Sequence, residues 1–242
     1  NEDNPDAMRL LGIDFPYPRY MVLVYLSQDE TGKQETSWSP ILSMWNIHEG
    51  IVHCADTPKS NRTLTAILNM QYDSPVDEVL QSIVDGRRIT VGCGEIVDNY
   101  GRIPHSFMQA QAALDYRFVL GRTGIIKFAE LPFGNSDGYR YPADIIDRLP
   151  RSLVSSDPGL VREVFQDLND FVHSNRIPLH MARSIASETI SVVSATIHKL
   201  SDTSYKNLQT RIDGLSVTEF DTVDVLFDRI AVLAADVCKQ SL

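Results

Sequence analysis

Tyr20–Leu26 (YMVLVYL) is a run of seven apolar residues with no polar interruption. Without alternation, it predicts a central strand covered on both faces. The residues before it, NEDNPDAMRLLGIDFPYPRY, are polar and then punctuated by Pro16 and Pro18, which keep a regular helix from running into the strand. They read as a lead-in from an upstream segment. After a polar loop at 27–35, Trp38, Ile41, Leu42 and Trp45 follow the i, i+3, i+4, i+7 spacing of an amphipathic helix that ends near Gly50. Pro40 near its start is compatible with a first helical turn, and the two tryptophans leave two readings open: core residues, or the lining of a ligand pocket or subunit contact.

Two strands are predicted next, Ile51–Thr57 and Thr63–Met70, joined by the turn Pro58-Lys59-Ser60-Asn61-Arg62. Leu64, Ala66, Leu68 and Met70 then share one side. A helix from Pro75 carries Val76, Val79, Leu80, Ile83 and Val84 on one stripe and stops at Gly86, before a strand over Ile89–Glu95. The order is β-α-β-β-α-β, the ferredoxin-like split pattern. One more helix, Ser106–Leu120, and a strand opening at Ile125-Ile126 extend it. Ser106, three residues ahead of Gln109, is read as the start of a capping box, with Phe107, Ala110, Leu114 and Phe118 on the inner face.

The loop Gly134–Gly138 marks a shift in composition, with no strand-like run after it. The fold class is therefore α+β, with an α/β domain over residues 1–133 and an all-α bundle over 139–242. Four amphipathic helices are expected in the bundle. One opens at Tyr141-Pro142 and one at Asp157-Pro158, an N-cap followed by an N1 proline. The third starts at Pro178 and the fourth at Thr218.

The chain's 242 residues, 43% of them apolar, are enough for a substantial core, and its net charge is −10. That charge leaves no basic surplus to neutralise phosphates, so DNA is expected to be read only by a part outside this chain. Three widely spaced cysteines, Cys54, Cys93 and Cys238, form neither a disulfide framework nor a zinc pattern, which suits a reducing cytoplasm. No apolar run approaches the roughly 20 residues of a membrane span, and Asn61-Arg62-Thr63 is read as a hairpin turn rather than a glycosylated site.

Candidate chemistry is sparse. Cys93 alternates with Val91 and Ile89 and reads as a small buried hydrophobe, not a nucleophile. His48 and His53 lack ligand spacing, and His173, His180 and His198 fall at or near helix ends. Gly92-Cys93-Gly94 lacks the third glycine of a dinucleotide loop, so its glycines are assigned to a close backbone approach. Lys59 and Arg62 leave two readings open: a solvated basic turn, or contacts for an anionic ligand. No catalytic, cofactor-binding or metal-binding residue is assigned, and no cofactor is expected.

The run ITVGCGEIVDNYGRIPHSFMQAQAALDYRFVLGRTGIIKF at 89–128 resembles the C-terminal half of a GGDEF-like domain. The match is carried by Gly92, Gly94, Ser106, Ala110, Ala113-Leu114, Tyr116-Arg117-Phe118, Gly121 and Gly124-Ile125. More narrowly it is similar to the catalytically empty version in AraC-type transcription regulators, and LLGIDFPYPRYMVLVYL adds to that likeness. A working member of the wider family condenses two GTP molecules on divalent metals held by acidic residues. Here the first strand ends in Tyr25-Leu26-Ser27-Gln28, with Asp29 and Glu30 falling later in the loop, the hairpin turn Thr57–Thr63 holds no carboxylate, and no GG(D/E)EF sequence occurs. The resemblance implies a non-catalytic, cytoplasmic, dimerising module that passes a signal within a transcription regulator. A membrane-anchored sensor or a receiver domain would lie upstream and a helix-turn-helix pair after Leu242, with residues 142–242 as a helical connector. The alternative is a receptor for a nucleotide or small metabolite that kept the family's cleft.

Overall fold

A computed structural model describes residues 15–27, 51–55, 62–121, 124–132, 141–155, 157–175, 177–200 and 206–240, with 51–55 and 239–240 described by their backbone alone. The chain divides into two compact units, residues 1–117 with 122–131, and residues 118–121 with 132–242.

The first unit is built on a five-stranded sheet. Its strands are β1 (Arg19–Ser27), β2 (Ile51–Ala55), β3 (Thr63–Met70), β4 (Ile89–Cys93) and β5 (Gly124–Lys127), in the order β2-β3-β1-β4-β5. β1 lies antiparallel to both β3 and β4, with Leu23 opposite Ala66 on one side and Cys93 on the other. β2 pairs antiparallel with β3, and β5 pairs parallel with β4. The first four strands have the ferredoxin-like arrangement and β5 extends it, as the order of elements predicts.

The unbroken apolar run of β1 has its reason in this position. Met21, Leu23 and Tyr25 join β3 residues Leu64, Ala66, Leu68 and Met70 on one face, where helix α1 (Val76–Val84) covers them with Val79, Leu80 and Ile83. Val22, Val24 and Leu26 point the other way, toward Ala110 and Leu114 of helix α2 (Ile103–Asp115). Gly86, with φ of +68°, follows α1 and takes the left-handed conformation that glycine adopts without steric penalty.

α2 departs from the expected helix. It begins at Ile103 with Pro104 in its first turn, not at Ser106, and it breaks at Tyr116 before a short helix α3 (Arg117–Leu120). Ser106 is therefore an interior residue and forms no capping box. Its hydroxyl accepts a hydrogen bond from the Val22 amide (3.1 Å) and donates one to the Glu95 carbonyl (2.8 Å). Gln109 is also turned to the sheet: its Oε1 accepts from the Glu95 amide (3.0 Å) and its Nε2 donates to the Glu95 carboxylate (2.6 Å). Two glycines make this approach possible. A Cβ on Gly92 would stand 2.2 Å from the Ala110 carbonyl oxygen, and one on Gly94 would stand 2.1 Å from that of Ser106. The close-approach reading of Gly92-Cys93-Gly94 has its partner in α2.

The second unit is helical. Beyond α3 it contains α4 (Ala143–Ile146), α5 (Leu149–Val154), α6 (Pro158–Ser174), α7 (Leu179–Lys199), α8 (Lys206–Asp213) and α9 (Val223–Gln240). Asp157 caps α6 as expected, its carboxylate accepting from the Gly159 amide at 2.8 Å. The core is apolar side chain against apolar side chain: Leu149, Leu153, Val164, Leu168, Ile185, Val193, Leu226, Ile230 and Leu233 are fully enclosed. Phe165 meets Phe227 edge to face with centroids 6.0 Å apart. Two expectations are corrected. The helix at Tyr141-Pro142 is split into α4 and α5, and the last helix starts at Val223, with a single 3₁₀ turn at Val217–Glu219 where the helix was expected to begin. α8 lies on α7 and was not anticipated.

Candidate functional site

The two ends of the sheet offer different chemistry. At one end β1 closes against the start of β3, with Leu26 opposite Thr63 and the Ser27 amide donating to the Arg62 carbonyl at 2.8 Å. Arg62 is exposed there, while Lys59 lies outside the described residues. Of the two candidate anion contacts, only Arg62 is therefore placed. A shallow hollow of about 310 Å³ opens beside it over Thr63, Thr65, Phe107 and Leu114, but the charged group in its wall is the Asp115 carboxylate. An anion in that hollow would meet negative charge. The Trp38–Trp45 segment also lies outside the described residues.

At the opposite end a cavity of about 570 Å³ lies between the start of β1, the start of α1 and the segments that follow β4 and β5. Met21, Val76 and Ile96 form its apolar part, and Arg19, Lys127, Asp77, Glu78 and Glu95 supply its charge. Counting two cations against three carboxylates, the wall is negative by one charge. Both cations are engaged. Lys127 Nζ stands 2.6 Å from Asp77 Oδ1 and 3.8 Å from a Glu130 oxygen. The hydrogen bond to Asp77 raises its ammonium above the usual lysine range, and burial opposes that rise. Arg19 donates to the Tyr72 carbonyl (2.8 Å) and its guanidinium carbon lies 5.6 Å from the Tyr72 ring centroid. Glu95 is held by Gln109, so the grip of α2 on the end of β4 also fixes one wall of this cavity.

An apolar floor with a few oriented polar groups is the usual composition of a small-molecule pocket. The nearest thiol, Cys93, is fully enclosed on the α1 face of the sheet, where burial pushes its pKa up to about 12. It stays protonated and unreactive at neutral pH, in keeping with its strand position. Among the described residues no group of three His, Cys, Asp or Glu side chains is placed to hold a metal ion, and no helix is long and apolar enough to cross a membrane.

Two of the three histidines of the second unit pair with carboxylates. His173, in the last turn of α6, meets Asp224 at 2.7 Å, and His198, in the last turn of α7, meets Asp213 at 3.1 Å. Both fit the helix-end reading. His180 sits in the first turn of α7, where the dipole has the opposite sign. Sequence reasoning missed the large cavity because four separate segments build it. The only signal was charge placed at or just past strand ends, at Arg19, Glu95 and Lys127.

No curated protein and no solved structure matches the chain. Residues 1–116 match the family model of the GGDEF-like domain, a stretch that runs past β1 to β4 and closes at the end of α2. A GGDEF-like domain is thus present over residues 1–116, in the unit that holds the sheet, both of its ends and the grip of α2 on Glu95.

Proposed function

We propose that the chain is a non-catalytic, dimerising regulatory module of a cytoplasmic, AraC-type DNA-binding transcription regulator. In this reading the GGDEF-like domain receives or relays a signal and the helical unit passes it toward a helix-turn-helix part beyond Leu242. The observation that carries the reading is the end of β1. Tyr25, Leu26 and Ser27 run up against Thr63 and Arg62, and none of these five described residues is a carboxylate that could hold metal against phosphates. The net charge of −10 supports placing the DNA contact elsewhere. Two assays test this. Incubation with GTP and magnesium or manganese should yield no cyclic dinucleotide. In band shifts, sequence-specific binding should require the polypeptide extended past Leu242, so tight specific binding by residues 1–242 alone would overturn the proposal.

The cavity between Arg19, Asp77 and Glu95 favours a second reading, a receptor for a small metabolite. It lies at the opposite end of the sheet from the hairpin, so such a receptor would not use the Lys59–Arg62 turn. Its negative balance and paired cations favour a ligand bearing an ammonium group over a nucleotide phosphate. Calorimetry with GTP, cyclic dinucleotides, sugar acids and small amines decides between them, and silence across the panel would remove the receptor reading.

A further inference from the structure

The cavity at the start of β1 has a definite balance of uncompensated charge. Of its five charged side chains, Lys127 and Asp77 neutralise each other across 2.6 Å, with Glu130 outside the lining at 3.8 Å from the same ammonium. The three that remain are Arg19, Glu78 and Glu95. Arg19 is engaged only by the neutral carbonyl and ring of Tyr72, and no carboxylate among the described residues pairs with it. Glu95 is oriented by another neutral group, since Gln109 holds one carboxylate oxygen at 2.6 Å and the other oxygen has no partner among the described residues. Glu78, in the first turn of α1, makes neither a hydrogen bond nor an ion pair there. Arg19 and Met21 lie two residues apart on β1 and so share the sheet face that α1 covers, and Val76 and Ile96 line the same space. Two unmatched anions, one unmatched cation and an apolar floor therefore surround a single volume of about 570 Å³, well within the roughly 300–1,000 Å³ of small-molecule sites.

We propose that this cavity binds a free basic α-amino acid, the class of lysine, ornithine and arginine. The charges of such a ligand are the complement of the unmatched set: one carboxylate for Arg19, and two cationic groups for Glu78 and Glu95. Only one terminal nitrogen of Arg19 is occupied, by the Tyr72 carbonyl, and a guanidinium is the donor that best fits a carboxylate. The methylene stem of the ligand covers Met21, Val76 and Ile96, as the stems of basic side chains cover apolar surface elsewhere. Other classes leave part of the set unanswered. A phosphate brings negative charge toward two carboxylates, a diamine offers nothing to Arg19, and an amino acid with a neutral side chain answers only one of the glutamates. Each charge left unmatched under a bound ligand loses water and gains no partner, so selectivity follows the full match of three. Glu78 and Glu95 are exposed, and water screens their contacts, so affinity is expected in the ~0.01–1 mM range. The inference names the ligand class for the receptor reading given above and rests on it.

Calorimetry of the 242-residue chain with lysine, ornithine and arginine tests it, beside three relatives of lysine that each lack one charge. Cadaverine lacks the carboxylate, norleucine the side-chain ammonium and Nα-acetyllysine the α-ammonium. Lysine should bind, and each relative should bind at least ~3-fold more weakly. Arg19→Gln should abolish the preference for lysine over cadaverine. Glu78→Gln and Glu95→Gln should each narrow the preference over norleucine or over Nα-acetyllysine, because a charge removed from the protein makes its counterpart on the ligand redundant. Glutamine at 95 still accepts from Gln109, and circular dichroism checks the fold of every variant. If Arg19→Gln unfolds, the glutamate variants and the three relatives carry the test. Cadaverine binding as tightly as lysine overturns the inference and leaves a receptor for simple amines. Silence from the basic amino acids up to ~10 mM, with GTP, a cyclic dinucleotide or a sugar acid bound instead, also overturns it and leaves the receptor reading standing. Silence from every compound removes both. Lysine affinity unchanged in all three variants overturns the inference by placing the amino acid elsewhere on the chain.

Discussion

The sheet unit and the helical unit bury apolar surface by different means. In the sheet unit α2 comes so close to β4 that backbone faces backbone, and the space between Gly92 and Ala110 holds no additional carbon. In the helical unit the elements meet through side chains, such as Phe165 on Phe227 and the layer of Leu168, Leu226 and Ile230. Contacts of the first kind depend on residue identity, because backbone atoms have no rotamers with which to yield. Contacts of the second kind depend on volume and pattern, because neighbouring side chains repack. The sheet unit should therefore be brittle toward a single added methyl, while the helical unit should tolerate changes of the same size.

Gly92→Ala gives the largest expected effect. Its new Cβ would meet the Ala110 oxygen at 2.2 Å and the Leu114 nitrogen at 2.7 Å, both main-chain atoms. α2 would have to lift from the sheet, taking with it the hydrogen bonds of Ser106 and Gln109. A loss of at least ~3 kcal/mol is expected, the upper range for overpacking. In the helical unit, Ile230→Val alters an enclosed site by one methylene and should cost about 0.5–1.5 kcal/mol. Urea denaturation of both variants measures the contrast, which fails if the two costs are equal.

Ser106→Ala should be next. The substitution removes an acceptor from the Val22 amide and a donor from the Glu95 carbonyl while leaving the packing volume nearly unchanged. An unsatisfied buried amide predicts a loss of about 1–3 kcal/mol. Ser106→Thr, which keeps the hydroxyl but adds a methyl in a site with no exposure, separates the two causes. If the hydrogen bonds dominate, threonine should recover part of the loss. If close packing dominates, it should be worse than alanine.

How far each unit was legible in its sequence follows from the same difference. β1 was legible because a strand covered on both faces leaves no polar position, and α6 because Asp157-Pro158 is a start signal independent of what the helix packs on. Ser106 misled because S-x-x-Q ahead of apolar residues is the pattern of a cap. The actual start rests on Pro104 in the first turn and on a 3₁₀ turn capped by Asn99. What distinguishes a capping serine from one bonded to a neighbouring strand is tertiary, and no local pattern records it. α8 escaped because its apolar contribution reduces to Leu208 and Ile212, too few to set a period. The site was least legible. The cavity joins Arg19 to Lys127 across the sheet, and the Lys59 turn lies outside the described residues.

The smallest expected effect returns to the helical unit and sharpens its tolerance. Asp213, at the end of α8, accepts a hydrogen bond from Ser194 of α7 at 2.6 Å and faces His198 at 3.1 Å. The Ser194 hydrogen bond is the main cause holding its carboxyl below the usual aspartate range, with His198 adding to it and partial burial opposing. A depressed pKa contributes stability that is fully present above the unfolded-state value, about 3.9, and is lost as pH falls through the lower folded value. The carboxylate is 44% exposed, so solvent screens the contribution to under ~1 kcal/mol. Ser194→Ala should therefore destabilise the chain slightly at pH 7, and that cost should shrink as the pH is lowered below the folded-state value, because the protonated carboxyl no longer gains from the hydroxyl as the anion does. Urea midpoints of the two proteins at pH 7 and at a series of pH values descending through the acid range measure it. A cost that stayed constant between them would mean that Ser194 acts by packing α7 on α8 rather than through the charge of Asp213.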